Sequence, residues 1–409
     1  MRKKLWVVGL LGLGLVGSLG TAWADDDATS LKEWFTKGDV EGSLKSYYYA
    51  QTFEGPNSDS QIWVNGGNLA ATTGKLYGVR LGAEFQASLV GSINDDSGVT
   101  AGSMDADGAV LSEAFLQYDL YNTRFKGGRQ HYVSPLIANS GSRMIKESFE
   151  MYFLRNTDLP ATEIMAGWVD KYQTRTDRSY YADNAFVDYD LNGDGDPGGF
   201  YDVGDDGMWF AYVKNNTLKG LEVQGQYANV VDEVQGLYAD AKYTFDTIYK
   251  PYLGAQVFYT DWDDSTLDSN ELFGMTGGAT FYGVNLFAGY TTAGGDTGDA
   301  RVFRGLGQGA YYNYTTTTKT AGAQAFEPGT DAWQVGAGYK YENLSSKLRF
   351  TSFDSPADGS DLDEWTINLA YNFSGMLENL SAEVDFSILD YENDQKDSTD
   401  LRTRLVYRF

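Results

Sequence analysis

Lys347 and Arg349 stand two apart and alternate with Leu348 and Phe350, and Arg402 and Arg404 alternate with Leu401, Thr403 and Leu405. In an extended chain this spacing puts the basic side chains on one face and the apolar ones on the other. Arg80 has the same setting between Val79 and Leu81. A row of cations along a wall lowers the electrostatic cost of moving an anion past it, and a guanidinium fork suits a carboxylate. The same residues have a structural use. Glu383 and Asp385 share the corresponding face of the preceding strand, and simple hairpin register brings Asp385 near Arg404, so salt bridges would brace the wall. The sequence leaves both readings open.

Two other constellations carry chemistry. Asp190, Asn192, Asp194 and Gly195 match the opening of a calcium loop, whose alternating oxygens wrap a hard cation while glycine allows the bend. Tyr201 stands where the bidentate glutamate of such a loop belongs, and Asp202 follows one residue late. The alternative is a solvated acidic loop. His131 is the one histidine, and no nucleophile motif accompanies it. The sequence has no metalloprotease helix motif and no phosphate-cradling glycine loop, so no catalytic residue is assigned.

These side chains need strands to hold them. In 75–91, Tyr77, Val79, Leu81, Ala83, Phe85, Ala87 and Leu89 fall on one face, and Arg80, Glu84, Gln86 and Ser88 on the other. The C-terminal Leu401, Thr403, Leu405, Tyr407 and Phe409 likewise oppose Arg402, Arg404 and Arg408. Such a strand makes a poor edge in a soluble sheet but a good wall in a closed barrel between hydrocarbon and water. Alternation predicts about eighteen strands, at 40–51, 60–71, 75–91, 109–120, 123–131, 148–155, 162–172, 207–214, 219–230, 234–246, 250–261, 270–280, 283–293, 332–341, 344–353, 364–373, 379–390 and 399–409. Counted back from Phe409, every second link is short, while 92–108, 131–147, 173–206 and 294–331 all fall in the other set. A sandwich has no reason to segregate loop lengths in this way. The expected fold is therefore all-β, a transmembrane antiparallel barrel with short periplasmic turns and long extracellular loops.

Composition agrees. The chain has 30 Tyr, 22 Phe, 9 Trp and 48 Gly against 7 Pro, with no Cys to form a disulfide framework. Mean hydropathy is −0.39, and no apolar run after the first residues reaches the roughly 20 residues of a spanning helix. Residues 1–24 read as a secretory signal, with Arg2, Lys3 and Lys4, an apolar run, and Ala22-Trp23-Ala24 for cleavage. A short periplasmic helical segment is expected over 25–39, opened by the capping box Ser30 to Glu33, and the barrel over 40–409. The net charge of −26 leaves no basic surface for nucleic acid.

The link 131–147 is less acidic than its counterparts and carries Arg143 and Lys146. Folded inward, it would narrow a pore. The stretches GGRQHYVSPL and SRMIKESFEMYFLRNTDLP, with LKEWFTKGDVEGSLKSYYY near the start and LVYRF at the end, resemble the OprD family of substrate-specific outer-membrane porins over essentially the whole chain after residue 24. The resemblance implies eighteen strands, a monomer or weak homotrimer, inward-folded loops, and a basic ladder guiding small carboxylate-bearing or other water-soluble nutrients. It puts Arg129 and Arg143 at or beside the constriction and makes Phe409 the aromatic end recognised in assembly. Lys45 replaces an arginine usual in the family, and Met151 a glycine.

The expectation is a porin in the outer membrane of a Gram-negative bacterium, in contact with lipid and lipopolysaccharide, passing small hydrophilic solutes past Arg80, Arg129, Arg143, Lys347, Arg349, Arg402 and Arg404. No cofactor is expected beyond calcium at Asp190, Asn192 and Asp194. The alternatives are a cation-preferring general porin, an outer-membrane hydrolase on a similar barrel, and a calcium-binding surface adhesin.

Overall fold

The computed structural model describes residues 27–95, 99–178, 186–189, 193–307, 311–313, 315 and 324–409. The leader expected over 1–24 lies outside them. Barrel strands, numbered in chain order, are β1 Asp39–Phe53, β2 Ser60–Thr72, β3 Val79–Asn94, β4 Gly108–Leu120, β5 Thr123–Gln130 and β6 Ser148–Asn156. They continue with β7 Thr162–Gln173, β8 Met208–Asn215, β9 Leu221–Val230, β10 Val234–Thr244, β11 Tyr252–Trp262 and β12 Asn270–Phe281. The last six are β13 Val284–Ala293, β14 Asp331–Tyr341, β15 Leu344–Asp354, β16 Leu362–Asn372, β17 Leu380–Tyr391 and β18 Ser398–Arg408.

Each strand pairs antiparallel with its sequence neighbour, and β18 pairs back onto β1 from Ser43 opposite Arg408 to Phe53 opposite Ser398. The eighteen strands therefore close with no free edge, which satisfies every ladder without water. Closure is finished by Gly42 and Phe409, whose backbones exchange hydrogen bonds of 2.9 and 3.0 Å. The expected strands all form. Most bounds shift by one or two residues, and the largest difference is at the third strand: Lys75–Leu76 is a separate short pairing, and Tyr77 and Gly78 turn at φ of 51° and 83°. Tyr77 thus sits at a turn tip instead of on the lipid face of a strand.

The outer surface follows the alternation. Leu81, Phe85 and Leu89 of β3 are exposed, whereas Glu84, Gln86 and Ser88 are buried inside. The N-terminal helix, Leu31–Thr36, is capped by Ser30, whose hydroxyl accepts from the Glu33 amide, and the Glu33 carboxylate reaches back to the Thr29 amide at 2.8 Å. The Trp34 indole donates to the Val79 carbonyl at 3.1 Å, which ties this segment to the short-turn end of the barrel.

The interior departs from a uniformly polar lumen. Phe149, Met151 and Phe153 of β6, Met208 and Phe210 of β8, and Phe258 of β11 point inward and are buried. They pack with Leu136 and Ile137 from residues 131–147, and with Val302, Phe303 and Leu306 from residues 294–330. A barrel wide enough to hold water here holds an apolar core built from its own loops, because that surface gains more from contact than from hydration.

Candidate functional site: a lumen crossed by two loops

Residues 131–147 leave β5, cross the lumen and return to β6. On one side the Tyr49 hydroxyl of β1 donates to the Ser142 carbonyl, and the Lys45 ammonium reaches the Met144 carbonyl at 3.5 Å. On the far side the Leu136 amide donates to Gln226 of β9 at 2.8 Å. β1 and β9 stand nearly opposite in a ring of eighteen, so the loop spans the channel. Gln86 of β3 fixes its returning end, exchanging two 2.8 Å hydrogen bonds with the Lys146 backbone. Burial pushes the Lys146 ammonium below its ordinary pKa, opposed by Glu84, Glu113 and Glu147.

Described residues between 294 and 330 meet this loop from the other side. The Leu306 amide donates to the Leu136 carbonyl at 2.9 Å, and Leu306–Gly307, Ile137–Ala138 and Val133–Ser134 form a small three-stranded sheet inside the barrel. The Phe303 amide donates to Thr260 at 2.8 Å, the Tyr312 hydroxyl to Asp240, and the Asn313 amide group to Thr291 at 2.9 Å. Wall glycines leave room for these side chains. A Cβ on Gly236 would lie 2.5 Å from the Phe303 ring, one on Gly254 2.9 Å from the Tyr312 hydroxyl, and one on Gly289 2.7 Å from Asn313. Only the length of this second loop is legible in the sequence, because periodicity reports which face a strand residue takes and not which loop folds inward.

The residues singled out in the sequence divide into groups. Arg143 and Arg402 flank the Tyr49 ring, their guanidinium carbons 5.2 and 5.3 Å from its centroid, and all three are buried. Arg143 also donates to Ser103 at 3.0 Å, and Arg402 pairs with Asp400 at 2.8 Å. Arg404 pairs with Asp385 and, at 3.0 Å, with Glu383. Arg349 is buried in the wall. Arg143, Arg402 and Arg404 tie strands and loops together through these contacts.

Lys347 and Arg80 remain half-buried on the inner face, with the Lys347 ammonium 4.9 Å from the Phe287 ring centroid. The inner face also carries Lys45 and Lys126, whose ammonium stands 3.7 Å from the Phe115 ring centroid. Lys126 escaped the sequence reading although it alternates with Phe125 and Gly127. Strands β8 to β11 present a different wall: the Tyr212 hydroxyl donates to Gln224 at 3.1 Å, and the Lys242 ammonium stands 4.1 Å from the Tyr252 ring centroid. The inner face therefore carries cations on both walls, set among inward carboxylates such as Glu84, Asp240 and Asp385.

Arg129 takes the opposite face from the one expected. It pairs across strands with Glu150, which alternates with the exposed Tyr152, while Phe149 and Met151 are buried inside. Its guanidinium contacts Glu150 at 3.3 Å and stacks 4.1 Å from the Phe200 ring. Arg129 therefore lies outside the lumen. Asp190 and Asn192 fall outside the described residues. Asp194 is exposed, and its amide and that of Gly195 donate to the Asp177 carboxylate at 3.1 and 2.8 Å.

No known family model and no curated protein matches the sequence. Solved structures do match. Pseudomonas aeruginosa OccK9 (OpdG) is 19% identical, with 92% of this chain and 99% of that chain covered at a TM-score of 0.75. The outer membrane protein OpdK of the same organism, also solved with vanillate, is 16% identical over 92% and 99% at 0.73. A BenF-like porin from Pseudomonas fluorescens is 17% identical over 92% and 99% at 0.73. The closed eighteen-stranded barrel of this chain is the fold of these outer-membrane porins.

Proposed function

We propose that the chain is an outer-membrane porin of the OprD type, through which small hydrophilic solutes diffuse passively past a constriction made by residues 131–147 and 294–330. The observation that carries this reading is the pair of loops meeting inside the barrel at the Leu306 to Leu136 hydrogen bond, 2.9 Å long. A barrel serving only as a scaffold for surface binding has no need of an internally sheeted, wall-anchored narrowing. Carboxylate-bearing nutrients suit the lumen, because Lys45, Arg80, Lys126 and Lys347 stand half-buried along one sector where a passing anion meets several weak sites in turn. Vanillate, with which OpdK was solved, is a small carboxylate of this kind.

A preference for small cations is the second reading. It is favoured by the neutralisation of Arg402 and Arg404 by Asp400, Asp385 and Glu383, and by the chain's net charge of −26. The zero-current potential of single channels in a planar bilayer under a salt gradient separates the two. Replacing Lys45, Arg80, Lys126 and Lys347 together by Gln should move that potential toward cation selectivity by on the order of 10 mV in a tenfold gradient. A potential that does not move removes the carboxylate reading and leaves the cation-preferring one. A barrel that folds but carries no current ends the porin reading altogether.

A further inference from the structure

His131 stands where residues 131–147 leave the wall. Its ring Nδ1 lies 2.8 Å from the Glu147 carbonyl oxygen at the far end of the same loop. A carbonyl only accepts, so Nδ1 carries the hydrogen. The other nitrogen, Nε2, lies 3.3 Å from Oε1 of Glu84 on β3, a carboxylate that is 8% exposed. Glu113 of β4 completes the group, its Oε1 accepting the His131 backbone amide at 2.9 Å. The ligand-capable atoms of the three side chains all lie within 4.8 Å of one another.

With Nδ1 committed as a donor, Nε2 is left facing a carboxylate oxygen. A buried contact between two acceptors is unfavourable unless a cation lies between them. A proton on Nε2 would serve, and so would a metal ion. Three features favour the metal. An Nδ1–H donated to a backbone carbonyl is the usual outer support of a metal-bound histidine, fixing both tautomer and ring orientation. Two ligands held tetrahedrally at about 2.0–2.1 Å stand roughly 3.3–3.4 Å apart, the spacing seen between Nε2 and Oε1. The third donor, Glu113, comes from the adjacent strand and is already oriented through its other contact. The three donors also have the mixed nitrogen and oxygen character of zinc sites rather than the all-oxygen shell of calcium.

We propose that Glu84, Glu113 and His131 form a binding site for a divalent first-row transition ion, Zn²⁺ foremost, at the neck of the 131–147 loop. The ion would fasten the start of that loop to β3 and β4 from inside the channel, where solutes and ions in transit have access. Lys45 and Lys146 are the positive electrostatic neighbours of Glu84 and oppose the ion, so binding is expected to be reversible and not that of a permanent structural metal.

The test uses the whole barrel folded in detergent micelles, with Co²⁺ as the probe because four-coordinate nitrogen and oxygen sites give it a visible absorption. One Co²⁺ per chain is expected, displaced by Zn²⁺, with the absorption lost in His131→Gln and in Glu113→Gln. Glu113→Gln keeps an oxygen acceptor for the His131 amide, so it carries the test should His131→Gln fail to fold. Lys146→Met should raise the affinity severalfold, a change that a merely structural cluster would not produce. Absorption that survives both ligand variants would locate the ion on the outer acidic loops and overturn the proposal. So would the absence of binding in a folded barrel, and a His131 ring found doubly protonated by nuclear magnetic resonance would show that a proton fills the gap instead.

Discussion

Replacing Arg404 by Gln should cost the barrel about 3 kcal/mol or more of unfolding free energy, because it removes the guanidinium from a carboxylate held out of water. Asp385 is 1% exposed and meets Arg404 directly, with the Asn368 amide group as its other contact. The second carboxylate, Glu383, keeps a 38% exposed side chain and can be hydrated once the arginine is gone. Asp385 cannot. The double variant Arg404→Gln with Asp385→Asn should therefore recover most of the loss, since both buried charges disappear together. Urea unfolding of the lipid-reconstituted barrel, followed by tryptophan fluorescence, reads the effect. A single variant as stable as the parent would mean that Arg404 is held loosely enough to serve passing solutes, and the bracing role assigned to it would fall.

That pair also illustrates what the sequence could carry. Period two puts Asp385 and Arg404 on one face, and it also yields the strand count, the segregation of loop lengths and the lipid-facing side of β3. The register itself is two residues from the simple hairpin, pairing Asp385 with Arg402 and Glu383 with Arg404, so that Arg404 meets Asp385 diagonally. All of these are local or nearest-neighbour properties, which a closed antiparallel meander makes almost the whole of its topology. Tyr77 continues the alternating pattern in sequence although the chain turns there, with Tyr77 and Gly78 both in the left-handed region. Arg129 was placed by resemblance, and counting by two from Phe125, opposite the exposed Leu154, puts it on the outer face where the structure has it.

The lumen core was hidden for a different reason. In SFEMYFLRN, Phe149, Met151 and Phe153 face inward while Tyr152 and Leu154 face lipid, so both faces are apolar and alternation carries no contrast. What covers the inner face is decided by contacts such as Leu306 with Leu136, far apart in the chain. The grouping of Glu84, Glu113 and His131 is equally non-local, joining two strands to the start of a loop. No spacing rule links those three positions in advance.

Two glycines give the most direct handle on the constriction itself. Gly305 has φ +91°, and a Cβ there would lie 2.1 Å from the Leu136 carbonyl oxygen; Gly307 has φ +75°, and its Cβ would lie 2.1 Å from the Ala138 carbonyl oxygen. A side chain at either position meets backbone that cannot step aside, and the left-handed conformation itself strains a β-branched residue. The Gly305→Val, Gly307→Val double variant should therefore part the two loops where they meet, while leaving the wall strands and their ladders intact. Single-channel conductance should rise by about twofold or more, because current through a short constriction follows its open cross-section. The barrel should still unfold in urea close to the parent midpoint, because the strained residues lie in a loop that opens before the wall does. Higher conductance at unchanged wall stability is the signature of a removed constriction. Unchanged conductance would mean that solutes pass beside the loop sheet and that selectivity is set lower in the channel, among Lys45, Arg80, Lys126 and Lys347.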